Sequence, residues 1–80
     1  MEAFETGDLV VGMRSVIKKI QRGEITKVII AQDTDTFIRN QVTNACNLYE
    51  VPYEQKFTKA QMGAMAHKQV PTAVIGYLKA

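Results

Sequence analysis

Eighty residues with a 46% hydrophobic fraction are enough for one folded domain and too few for two, and they argue against disorder. A formal charge of +2 excludes a polybasic arm, so any nucleic-acid surface must gather its basic residues on one face. A single cysteine, Cys46, excludes an internal disulfide framework and a multi-cysteine metal site, and it fits a reducing cytoplasm.

Residues 1–7 are acidic and patternless up to Gly7, and they read as a loose tail or a short, ill-defined helix. They lack the basic stretch and apolar core of a secretory signal, so a cytoplasmic location is expected. The longest apolar runs hold only a few residues, far short of a membrane span, and no membrane association is expected. Leu9-Val10-Val11 is a brief apolar run and a candidate strand. The period then changes. Met13, Val16, Ile17 and Ile20 stand at i, i+3, i+4 and i+7, the stripe of an amphipathic helix. Arg22 and Gly23 end it, a cation at the negative helix terminus followed by a glycine able to take the left-handed cap.

Ile25 to Ala31 forms the next strand. Val28-Ile29-Ile30-Ala31 is apolar on both faces, which predicts an interior strand covered on each side. Asp33-Thr34-Asp35 suits a turn and an N-cap. The second helix carries Ile38, Val42, Ala45, Cys46 and Tyr49 on one stripe and closes at Val51-Pro52. Tyr53 to Phe57 places a charged residue at alternate positions, Glu54 and Lys56, and suits an edge strand. Thr58-Lys59-Ala60-Gln61 has the spacing of a capping box. The short helix behind it turns Met62, Met65 and Ala66 inward. His67-Lys68-Gln69 is a loop, and Pro71 precedes a last strand from Thr72 to Leu78. Strands and helices thus alternate throughout, which predicts an α/β domain with helices on both faces of a mainly parallel or mixed sheet.

Chemistry has few places to sit. Asp33 and Asp35 lie at the carboxyl end of an interior strand, where α/β folds often bind ligands. Two acids without a third ligand make a poor metal site, and turn and cap residues explain them as well. Cys46 falls on an apolar stripe far along the chain from the sole histidine, His67, so a buried inert thiol is expected. Nucleophile, base and orienting group cannot be assembled, so no enzyme and no cofactor are expected. The first helix is different. Arg14, Lys18 and Arg22, at steps of four, run nearly in line opposite its apolar stripe, with Ser15, Lys19 and Gln21 beside them. Its opening N–H groups and positive dipole end suit a phosphate, and Arg14 presents a fork that matches guanine O6 and N7. The same row also reads as plain solvated charge.

The ordered motifs carry more. Val10-Val11-Gly12-Met13-Arg14-Ser15-Val16-Ile17-Lys18, closing at Gly23, resembles an apolar–Gly–Thr–Asn/Lys–Glu/Gln opening with a lysine downstream. Val28-Ile29-Ile30-Ala31-Gln32-Asp33-Thr34-Asp35 resembles an apolar strand ending Ala–x–Asp–x–Asp. Val51-Pro52-Tyr53 resembles Ile–Pro–Tyr/Val, Thr58 to Gly63 resembles Ser–Lys–x–x–Leu–Gly, and Val70-Pro71 matches Val–Pro/Gly before the last strand. Together, over about residues 8–79, they resemble the kink-turn-binding ribosomal protein family, the L-seven-Ae and L-thirty-e group, and its small stand-alone bacterial members in particular.

The resemblance implies a single domain over 1–80, folded as a three-layer αβα sandwich with a four-stranded mixed sheet. It implies binding to a kink-turn, a sharply bent RNA with tandem sheared G·A pairs beside a three-nucleotide bulge, in a ribosomal or other ribonucleoprotein setting or on a regulatory leader; nothing in the sequence demands a dimer, so a monomer is expected. The helix start that enters the RNA major groove maps to Gly12, Met13, Arg14, Ser15 and Lys18. The loop over a flipped-out bulge nucleotide maps to Lys68, Gln69, Val70, Pro71 and Thr72, with the turn at Gln32-Asp33 beside both. A kinked helix opens the otherwise unreadable A-form major groove, which makes such a contact physically reasonable. The chain departs from the family pattern at Met13 (usually Thr), at Arg14 and Ser15 (usually Asn/Lys and Glu/Gln), and at His67 and Lys68 (usually glycine and an apolar residue). These departures leave a second expectation open, a protein-interaction or assembly module of the same fold that has lost kink-turn binding.

Overall fold

Strands and helices alternate along residues 9–67 and 71–79, which the computed structural model describes. The order is β1 (Leu9–Val11), α1 (Met13–Gln21), β2 (Ile25–Ala31), α2 (Thr36–Leu48), β3 (Tyr53–Phe57), α3 (Lys59–Met65) and β4 (Val74–Leu78). The tail expected at 1–7 lies outside the described residues, as do Lys68, Gln69 and Val70.

The strands form one sheet in the order β1-β4-β2-β3. β4 runs antiparallel to β1 and β2, whereas β2 and β3 are parallel, so the sheet is mixed. β2 is interior, as its unbroken apolar run predicts, and its alternation feeds two cores. Val28 and Ile30 join Val16 and Ile20 of α1, Val42 and Cys46 of α2, and Val74. Ile29 and Ala31 face the other way, onto Met62 of α3 and Ile75. Two helices therefore cover one face and α3 the other, the expected three layers.

An irregularity in register between Ile25 and Lys27 lets Ile25 and Val28, three residues apart, reach the same core. Gly76 explains how closely α1 approaches: a Cβ there would lie 2.9 Å from Ile25 Cδ1 and 3.4 Å from Val16 Cγ1. β3 is an edge strand, as expected. Glu54 on it pairs with Lys27 at 3.0 Å and Lys56 at 3.1 Å, and these ammonium groups hold its carboxyl below the usual carboxylate range. Charges along an exposed edge discourage pairing with another chain.

Local chemistry sets most helix ends. Asp35 caps α2, accepting from the Ile38 N–H at 3.0 Å. The capping box of α3 is reciprocal: Thr58 Oγ1 accepts from the Gln61 N–H at 3.1 Å, and Gln61 Oε1 accepts from the Thr58 N–H at 3.0 Å. α1 closes with Gly23 at φ 74°, where the Gly23 and Glu24 N–H groups donate back to Ile20 and Lys19. α2 closes in the same way, but the left-handed position is held by Glu50 at φ 58°.

Three local expectations need correction. β4 begins at Val74 and not at Thr72, because the Thr72 N–H donates to the Lys59 carbonyl at 3.0 Å instead of to a neighbouring strand. Met65 is 37% exposed, since a helix of two turns rests only its Met62 and Gly63 side on the sheet. Tyr49 is 44% exposed because it sits past the last turn of α2, at the cap.

Candidate nucleic-acid interface

Three consecutive residues draw the expected site together. Thr72 donates its N–H to the Lys59 carbonyl at the start of α3, at 3.0 Å. The Ala73 carbonyl accepts from the Ala31 N–H at the end of β2, at 2.8 Å, and the Val74 carbonyl accepts from the Gly12 N–H at the start of α1, at 3.0 Å. The β1–α1 junction, the β2–α2 turn and the segment entering β4 therefore meet at one end of the sheet. Regions as far apart in sequence as Gly12 and Val74, 62 positions, become neighbours through backbone bonds alone.

Gly12 shapes the first of these. It adopts φ 101° and ψ 146°, a conformation closed to residues with a side chain, and a Cβ there would meet nothing within 4 Å. No side chain caps the helix, and its first intrahelical bond runs from the Val16 N–H to the Gly12 carbonyl. The N–H groups of Met13, Arg14 and Ser15 are left at an open, electropositive helix end with no acid in the first turn. Arg14, Ser15, Lys18 and Arg22 are exposed, and the three cations form no ion pair among the described residues. Lys19, beside the row, is instead paired with Glu24 at 3.1 Å. Met13 is half-buried and packs on the α1–α2 core, so its side chain serves the fold more than an outward surface.

The β2–α2 turn is held from the far side. The Gln32 N–H donates to the Phe57 carbonyl at 2.6 Å, and its side-chain amide donates to the Lys56 carbonyl. Asp33 Oδ1 accepts from the Lys59 N–H at 2.8 Å. Both carboxylates once open to a ligand reading, Asp33 and Asp35, are thus engaged with backbone donors. Among the described residues no three His, Cys, Asp or Glu side chains gather to hold a metal. Cys46 is fully buried, and burial pushes its thiol up to about 11. Pro71 is exposed and Thr72 is 4% exposed; Lys68, Gln69 and Val70 lie outside the described residues. Sequence reasoning missed Lys59, whose backbone links Asp33 to Thr72; no local pattern signals a partner 26 residues away. Among the described residues no helix is long and apolar enough to cross a membrane.

Compared with known proteins, the sequence matches the Ribosomal protein L7Ae/L30e/S12e/Gadd45 family over residues 1–80. The chain belongs to this family. Within the L7Ae/L30e family it is 31% identical over 78 residues to the RNA-binding protein YbxF of Geobacillus stearothermophilus, an alignment covering 98% of this chain and 95% of that protein. It is 32% identical over 74 residues to the large ribosomal subunit protein eL30 of Methanococcus maripaludis, covering 91% of this chain and 70% of the relative. Among solved structures, the Giardia lamblia 15.5kD RNA binding protein superimposes with a TM-score of 0.89 at 29% identity, covering 99% of this chain and 67% of that one. A Bacillus halodurans protein gives a TM-score of 0.88 at 25% identity, covering 99% and 79%. The L7Ae/L30e membership accounts for the ordered motifs from Val10 to Pro71, and the superpositions establish the sandwich that those motifs imply.

Proposed function

We propose that this protein is a non-enzymatic RNA-binding module that recognises a kink-turn or a similarly bent, bulged RNA, as a monomer in a ribosomal or other ribonucleoprotein setting in the cytoplasm. The observation that carries the reading is the uncapped N-terminus of α1 at Gly12, continued by the exposed row Arg14, Lys18 and Arg22, which is unpaired among the described residues. Free N–H groups and cations on one helix face match phosphate, and the missing Gly12 side chain admits an RNA backbone closely. Relatives named as RNA-binding and ribosomal proteins support the same assignment.

In this reading α1 enters the opened major groove. Arg14 meets base edges, Lys18 positions phosphate, and Gly12, the Met13 backbone and Ser15 line the approach. The β2–α2 turn at Gln32 and Asp33 sits beside it, and the segment Lys68, Gln69, Val70, Pro71 and Thr72 covers an extruded bulge nucleotide. Arg14 and Ser15 replace the amide or carboxylate usual in the family, so base preference at the G·A step shifts toward what a guanidinium reads.

Gel-shift titration at one fixed salt concentration, with a kink-turn RNA and a plain duplex of equal length, tests this. The expected result is much tighter binding to the kink-turn. Equal, weak affinity for both overturns it.

A further inference from the structure

Thr72, Ala73 and Val74 each share a backbone–backbone bond with another element, and those from Ala31 to Ala73 and from Gly12 to Val74 end there. The third depends on a side chain. Thr72 hangs on the Lys59 carbonyl, and the Lys59 N–H is itself fixed by Asp33 Oδ1 at 2.8 Å. The α3 capping box satisfies the Gln61 and Thr58 N–H groups but leaves that of Lys59, so Asp33 completes the cap from a different element. The chain Asp33–Lys59–Thr72 couples the β2–α2 turn to the loop end across the sheet. A negative charge on this face opposes RNA phosphates. Any benefit Asp33 brings to binding therefore comes through its bond to Lys59 and not through its charge.

We infer that Asp33 is a positioning residue for RNA recognition: through Lys59 it fixes Thr72 and with it the exposed Pro71, and so sets where these two residues meet an extruded nucleotide. The inference rests on the RNA reading above. It separates the acceptor function of Asp33 from its charge. Asp33→Asn keeps an oxygen acceptor for Lys59 and removes the charge, whereas Asp33→Ala removes both.

The experiment compares wild type, D33N and D33A as full chains by two readouts. The first is binding to a kink-turn RNA and to the same RNA with the extruded bulge base removed. Wild type and D33N are expected to lose affinity when the base is removed. D33A is expected to bind the intact RNA about tenfold more weakly than wild type, the scale of one lost charge-assisted bond, and to lose little more on the abasic RNA. The second readout is amide hydrogen exchange without RNA. D33A is expected to speed exchange at Lys59 and Thr72 while leaving Ile29 and Ile30 protected. Equal loss by D33A on both RNAs, a D33N as weak as D33A, or unchanged exchange at Thr72 overturns the inference. Wild type that does not distinguish kink-turn from duplex overturns the RNA reading itself, a result visible before any variant is compared.

Discussion

Gly12 donates its N–H to the Val74 carbonyl at 3.0 Å, so the turn that opens α1 is pinned to the first residue of β4. The pin holds only while Gly12 keeps φ 101° and ψ 146°. Gly12→Ala is expected to cost about 1–3 kcal/mol, the range for a side chain forced into a glycine-only conformation. Crowding contributes nothing, since a Cβ would meet no atom within 4 Å. Urea denaturation measures the loss, and a variant as stable as wild type refutes the strain.

Arg14 and Lys18 share a helix face but are expected to behave differently. Arg14→Ala should weaken kink-turn binding by roughly 1–3 kcal/mol and relax base preference, as expected for a lost base-edge contact. Lys18→Ala should weaken all RNAs more evenly and lower the slope of log affinity against log salt by about one. Titrations at several salt concentrations with kink-turn variants separate the two effects.

Glu50 closes α2 from a left-handed φ of 58°, a position that glycine fills at the end of α1. Its side chain is exposed and makes no hydrogen bond or ion pair among the described residues. Glu50→Gly is therefore expected to stabilise the protein by about 0.5–1 kcal/mol, the left-handed penalty removed less the entropy glycine adds to the unfolded chain. Thermal or urea unfolding reads the sign directly.

Cys46 is fully buried, and burial raises its thiol from 9.0 to about 11. At neutral pH a thiol reagent should label it only as fast as the protein opens, so labelling should accelerate with denaturant. The unfolded thiol ionises first as pH rises, so this contribution to stability is whole below about 9 and is lost progressively toward 11. Cys46→Ala should show a shallower alkaline fall in stability than wild type, whatever its stability at pH 7.

Features that depend on neighbours along the chain are legible in the amino-acid order. The 3.6-residue stripe of α1, the Asp35 cap, the Thr58–Gln61 box and the Gly23 stop all depend on groups within a few positions, so their spacing is their mechanism. The doubly apolar run of β2 and the charged pattern of β3 likewise revealed an interior and an edge strand, because burial on two faces or one leaves a compositional mark. The candidate site was legible as a basic helix face and, through ordered motifs, as part of a family surface.

Tertiary structure decided what those residues do together. Nothing local tells Thr72 to leave β4 and bond Lys59, or exposes Met65 while burying Met62, because both depend on where α3 lies on the sheet. Glu50 in the left-handed region carries no sequence signal, since the fold and not the residue imposes that angle. Asp33 looked like a turn residue because its partner lies 26 positions away. Long-range backbone bonds brought Gly12, Asp33 and Thr72 to one end of the sheet, and a hydrogen bond between distant segments leaves no periodicity to read.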